Sequence, residues 1–144
     1  MRSVRRLAAV AATILALTVL VPSVAASSAL HELHVTKDCS TEPYAGAAGD
    51  YCTFTSSNLA AITGRIYYSS ALDGTTLRSF VLIDAGAGTT ATGRCRLNLV
   101  TGLGRCTFWK GTGELAGFHA NVVVSYLGGP NWAWDGFYFF APSR

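Results

Sequence analysis

The sequence predicts an all-β domain: a single antiparallel barrel of about eight strands, with a β-sandwich as the alternative. Three observations predict it. Beyond residue 25, no stretch of useful length repeats its apolar residues at the helical period. The remainder is rich in Gly, Thr, Ser, Val and aromatic residues and poor in Lys and Glu, which disfavours helices. Short alternating runs follow one another, separated by turn residues, as hairpin-connected strands do.

The N-terminus stands apart from this domain. Arg2, Arg5 and Arg6 precede an apolar run from Leu7 to Val21, Pro22 breaks the run, and Ala25 and Ala26 offer small residues to a signal peptidase. These are the three parts of a secretory signal peptide, with cleavage expected after Ala25 and Ala26 as second choice. The run is shorter than the ~20 residues a membrane span requires. The expected organisation is therefore 1–25 signal peptide and 26–144 barrel domain, secreted and free of the membrane once processed. The three leading arginines also account for the net charge of +3, since the other eight basic residues balance eight acids. The mature part thus has no overall basic footprint for nucleic acid or anionic lipid.

Along the mature chain, 27–37 reads as a loose or edge segment at the new N-terminus. Residues 38–52 read as a loop containing Pro43 and glycines, bracketed by Cys39 and Cys52. Strands follow from Tyr51 and over 61–70, where Ile62, Gly64, Ile66 and Tyr68 share a face. Asp73-Gly74 marks a hairpin turn. A buried-looking strand comes next at 78–85, then a Gly/Thr connection. The hairpin 93–106 leads to a glycine break at 111–117. A long strand from Phe118 to Tyr126, a turn at Gly128-Gly129-Pro130 and a closing aromatic strand from Trp132 to Phe140 complete the chain.

Four cysteines in a small exported domain imply two disulfides. Local geometry favours Cys95 with Cys106, which leaves Cys39 with Cys52, although three connectivities exist. Cys95, Leu97 and Leu99 share one strand face, and Gly104, Cys106 and Phe108 share one on the return strand. A two-residue loop at Thr101-Gly102 would set Cys95 opposite Phe108. A four-residue loop from Leu99 to Gly102 sets it opposite Cys106, at a separation suited to a bridge. It also gathers Arg94, Arg96 and Arg105 on the outer face. Neither cysteine pair has the C-x-x-C spacing of a zinc or redox site.

Other motifs carry little chemistry. Gly86, Gly88 and Ala91 mimic a dinucleotide-binding turn, but no helix follows to hold a pyrophosphate, and no acid follows until Glu114. Residues 111–117 lack the Lys-Ser/Thr of a phosphate loop, so their glycines read as a strand corner or bulge. His31 and His34 form no complete metal motif and read as solvated residues on a frayed strand. No nucleophile elbow accompanies His119. No metal and no cofactor is therefore expected. The C-terminal half is more informative, because Phe118, Tyr126, Trp134 and Tyr138 alternate on two strand faces that meet inside a barrel. With Tyr68, they form the expected lining of an aromatic cavity for a small apolar molecule. An ordinary packed core is the competing reading. Phe137 and Phe139 lie on the opposite face and, if exposed, suggest contact with a second copy.

The stretch from Gly93 to Tyr126 followed by Trp134-Asp135-Gly136-Phe137-Tyr138, with Gly111-Thr112-Gly113-Glu114-Leu115-Ala116-Gly117 as its turn, resembles the allene oxide cyclase barrel-like proteins, relatives of the dirigent proteins. The resemblance implies an eight-stranded antiparallel barrel with a central cavity, often oligomeric, in a family that includes cyclases and stereochemistry-directing proteins. The four cysteines depart from that pattern, and no catalytic residue carries over. Three functions follow as expectations. The first is a secreted barrel binding a small apolar or aromatic molecule inside. The second is a cyclase-like enzyme in which Asp84 and Glu114 are the first carboxylates to test. The third is an interaction or inhibitor protein acting through its loops and its Arg94, Arg96 and Arg105 face.

Overall fold

The computed structural model describes residues 28–40 and 46–142, so the expected signal peptide lies outside the described residues. Eight strands form the chain: β1 (His31–Asp38), β2 (Tyr51–Ser57), β3 (Arg65–Tyr68), β4 (Thr76–Gly86), β5 (Thr89–Asn98), β6 (Leu103–Thr112), β7 (Phe118–Gly128) and β8 (Asn131–Phe140). Each pairs antiparallel with the next, and β8 returns to β1 to close a barrel. The barrel expectation holds and the sandwich alternative falls.

The N-terminal segment differs most from expectation. Residues 31–38 are no loose edge but a full strand, paired with β8 from His31↔Tyr138 to Asp38↔Asn131 and with β2 on its other side. The reason is topological: without it, β8 would end the sheet with a row of unpaired N–H and C=O groups. Alternation then turns Leu33, Val35 and Lys37 inward, each at most 3% exposed. The expected strand over 61–70 shrinks to β3, and Ile62 reaches the core from the preceding turn. On β4, Phe80 and Leu82 point outward while Leu77, Ser79, Val81 and Ile83 point in.

Inside, side chains from all eight strands meet. Trp134, Phe118, Leu33, Ile66, Leu77, Ile83, Val122 and Val124 are essentially inaccessible to solvent. Each such burial is worth about 1.5–3 kcal/mol against exposure. Phe108 sits between Trp134 and Phe118, with ring centroids 5.3 and 6.0 Å away. Room for this ring comes from Gly93, where a Cβ would lie 2.4 Å from the Thr107 carbonyl oxygen and 2.5 Å from the Phe108 ring. The glycine break at 111–117 forms one 3-10 turn, Gly113–Leu115, whose Leu115 is fully buried and plugs the end where β6 passes to β7.

The bridges are Cys39–Cys52 and Cys95–Cys106. The four-residue loop places Asn98 opposite Leu103 and Cys95 opposite Cys106, with Cα atoms 4.1 Å apart. Both bridges lie toward one end, where β1, β3, β5 and β7 finish; Leu115 lies at the other.

Replacing Cys95 and Cys106 together by alanine is expected to cost about 3 kcal/mol, read as a fall in urea midpoint, because the bridge closes a short loop of the unfolded chain. Leu115→Ala is expected to cost a further 2–5 kcal/mol (about the range for emptying a leucine site that cannot collapse) in the same measurement.

Candidate functional site: a buried lysine at the disulfide end

The residues expected to line a cavity come to different places. Tyr68, Phe118 and Trp134 are buried, at 3%, 0% and 1% exposure. Tyr138 is partly buried, packed against Phe118 and Phe140 and stacked on His31. Tyr126 lies at the end of β7, where the register with β8 shifts, and is half exposed against Trp132. Three of the five therefore pack within the core, a fourth against it, and the fifth stands on the rim.

The polar centre of the interior is Lys37, a residue that sequence reasoning missed. Its signal was the alternation of Leu33, Val35 and Lys37, legible once 31–38 is taken as a strand. Its Nζ donates a hydrogen bond to Tyr68 Oη. The Tyr68 and Trp134 rings lie 5.1 and 5.0 Å from the amine. A cavity of about 20 Å³ adjoins it, lined by Lys37, Cys39, Cys52, Tyr68, Leu97, Leu99 and Trp132. That is enough for one water molecule, far below the ~300–1,000 Å³ of an ordinary ligand pocket. Trp134 adds a buried indole N–H with no hydrogen-bond partner among the described residues. Leaving such a donor unmatched costs about 1–3 kcal/mol.

Burial controls the chemistry of this amine. Taking an ammonium out of water penalises its charged form, and Lys37 is lowered from 10.5 to about 7. The aromatic faces offset part of that penalty when the amine is charged. Near neutral pH the barrel thus holds an amine present in both forms, one of them nucleophilic.

The carboxylates singled out for an enzyme lie elsewhere. Asp84 and Glu114 are exposed on the outer surface, and Asp84 accepts a hydrogen bond from the Gly86 N–H. His34 is also outside and is no frayed residue: its Nδ1 lies 2.8 Å from Asp135 and its Nε2 3.5 Å from Glu32. The Asp135 hydrogen bond, then the one to Glu32, raises its pKa. His119 stacks flat on Phe139 at 4.8 Å.

A second feature occupies the outer face of β4, β5 and β6. Register sets Arg78 opposite Arg96, and Arg96 opposite Arg105. Three exposed arginines thus stand side by side across three strands, with bases ~10 Å apart from first to last at the usual strand spacing. Among the described residues no carboxylate forms an ion pair with them; Arg105 donates to Asn121 Oδ1. Arg94 is next along β5, its guanidinium 4.6 Å over the Phe80 ring. Two grooves of about 370 and 380 Å³ flank Arg96.

No protein-family model matches the chain, and no curated protein or solved structure is significantly similar to it. What the fold and these features define is a small closed barrel, stapled twice, with a packed interior and a basic outer row.

Between its folded value of about 7 and the unfolded 10.5, Lys37 is protonated only in the unfolded chain, so stability rises with pH across that window. The penalty is complete below the folded value, where both states carry the charge. Lys37→Met should therefore be more stable than wild type near about pH 6, with the difference shrinking toward about pH 10. Urea midpoints of both proteins across that range provide the check; a constant difference would remove the titration argument.

Proposed function

We propose that this is a secreted, disulfide-stapled barrel that binds a linear anionic polysaccharide through Arg78, Arg96 and Arg105. One observation carries the reading, namely that register stacks three arginines on adjacent strands of a chain whose basic and acidic residues beyond residue 25 are equal in number. Like charges directly opposed across strands destabilise a sheet, and a bound anion relieves that repulsion. Guanidinium groups grip sulfate, phosphate or carboxylate with two parallel hydrogen bonds, which suits repeated anionic groups laid across the strands. The flanking grooves around Arg96 supply Asn98, Thr76 and Ser70 as additional hydrogen-bonding groups. Secretion is supported by the features of residues 1–25 and by two disulfides, which persist in oxidising compartments. Among the described residues, no helix is long and apolar enough to cross a membrane.

A second reading, a small apolar or aromatic ligand taken up inside, is favoured by the buried Lys37 and Tyr68 beside their cavity. The size of that space restricts such a ligand to a fragment held at the disulfide end. Kinship with allene oxide cyclase and dirigent barrels is supported by the eight-stranded closure and the turn at 111–117, while a cyclase activity would have to use Lys37 and Tyr68 rather than Asp84 or Glu114. Phe137, half exposed on β8, is the residue through which a second copy would pack.

Retention on a sulfated polysaccharide matrix, against a neutral one, tests the first reading. Binding should weaken steeply with salt, since exposed charges are screened over about 10 Å at 0.1 M. Arg96→Gln with Arg105→Gln should lose affinity roughly 100-fold, at about 1.5 kcal/mol for each charge-assisted contact. Arg65→Gln, on β3 and stacked on Tyr51, should bind as wild type. Equal retention of the double variant and wild type would sink the proposal.

A further inference from the structure

We infer that Lys37 is a carbonyl-capture site, whose amine condenses with small aldehydes entering at the disulfide end of the barrel while Tyr68 relays the proton. The inference stands apart from the arginine row and shares no residue with it. Its geometry is that of a nucleophile held ready: a buried amine beside a cavity of about 20 Å³ lined by Leu97, Leu99, Trp132 and the Cys39–Cys52 bridge, with a hydroxyl bonded to it. An apolar wall admits an uncharged aldehyde and disfavours the hydrated ammonium. Desolvation of a lysine in such surroundings is a recognised route to a nucleophilic amine.

The step balances without any co-reactant. The Nζ lone pair attacks the carbonyl carbon, and the carbonyl oxygen takes a proton that leaves nitrogen through the Tyr68 hydroxyl, giving a carbinolamine. Loss of the second N–H proton and the hydroxyl as water leaves the imine. The cavity of about 20 Å³ beside the amine is the size of the water that must depart. The aldehyde's short chain is then housed only if Trp132, Leu97 and Leu99 shift to make room for it.

Among the described residues, no other charged side chain lines the cavity beside this amine. Tyr68 approaches from β3, while Trp132 and Trp134 of β8 present rings. Cys52 of β2 is held in its bridge, and Leu97 of β5 is apolar. On β1 itself, Asp38 lies on the other face and accepts the Ser40 N–H. Glu42 lies outside the described residues. The second lysine of the chain, Lys110, is exposed on β6 and serves as an internal reference.

The experiment treats the folded, oxidised protein with propanal and traps imine with cyanoborohydride, then locates adducts by peptide mass spectrometry. At about pH 7 the Lys37 adduct should exceed the Lys110 adduct by roughly tenfold or more. Reduction and denaturation should abolish the preference at neutral pH. Tyr68→Phe, verified as folded by near-ultraviolet circular dichroism, should slow capture at Lys37 by roughly tenfold or more. Adducts confined to Lys110, equal labelling of the two lysines in the folded protein at neutral pH, or a preference that survives denaturation each overturn the proposal. An unchanged rate in Tyr68→Phe overturns the proton relay.

Discussion

Closure of the sheet by β1 against β8 is the constraint on which the rest of this structure depends. Because the ladder runs from His31↔Tyr138 to Asp38↔Asn131, every strand has two neighbours and every inward side chain faces a common interior. In such a small barrel that interior is filled by the side chains themselves. Closure also fixes the fate of Lys37. An open sheet would let a lysine at this position reach water, whereas the closed one carries it inward behind Leu33 and Val35. The same pairing that completes the fold therefore creates its one deeply buried amine among the described residues.

The interior and the exterior divide the chemistry between them. Inside, aromatic rings and aliphatic side chains pack around a cavity of about 20 Å³ beside Lys37, and the buried polar groups include Lys37, Tyr68, Ser79, Thr89 and the Trp134 indole N–H. Outside, the carboxylates are dispersed, with His34 bridging Glu32 and Asp135 on one flank while arginines crowd the β4–β5–β6 flank. Both features follow from register. A shift of one residue in β5 would turn Arg94 and Arg96 inward and expose Cys95 and Leu97. The disulfide opposite Cys106 thus holds the arginine row in place as well as the hairpin.

Much of this was legible beforehand because strand alternation, turn residues and cysteine spacing are local signals. The four-residue loop from Leu99 to Gly102 follows from the requirement that Cys95 face Cys106, and both bridges follow with it. The burial of Lys37 was not legible in the same way. The segment 31–38 has no short hairpin turn to announce it, pairs with β2 only over Val35–Asp38, and finds its full-length partner in β8, about a hundred residues later. A residue such as Leu115 was hidden for a related reason, since glycines announce a corner but not which side chain the corner turns inward. Of the five aromatic residues expected inside, Tyr126 keeps its register opposite Trp132 but lies near the end of β7 and is half exposed, a strand-end effect that simple alternation does not encode.

The two bridges are short-range, joining residues 13 and 11 positions apart. Neither crosses from β1 to β8. The seam that closes the barrel is thus held by hydrogen bonds and packing alone, and it can part while every covalent link stays intact. A chain parted there would offer the edges of β1 and β8 to another chain parted in the same way. Pairing of β1 of one copy with β8 of another is therefore a route to a dimer that the two bridges leave open, and a third bridge across the seam would close it.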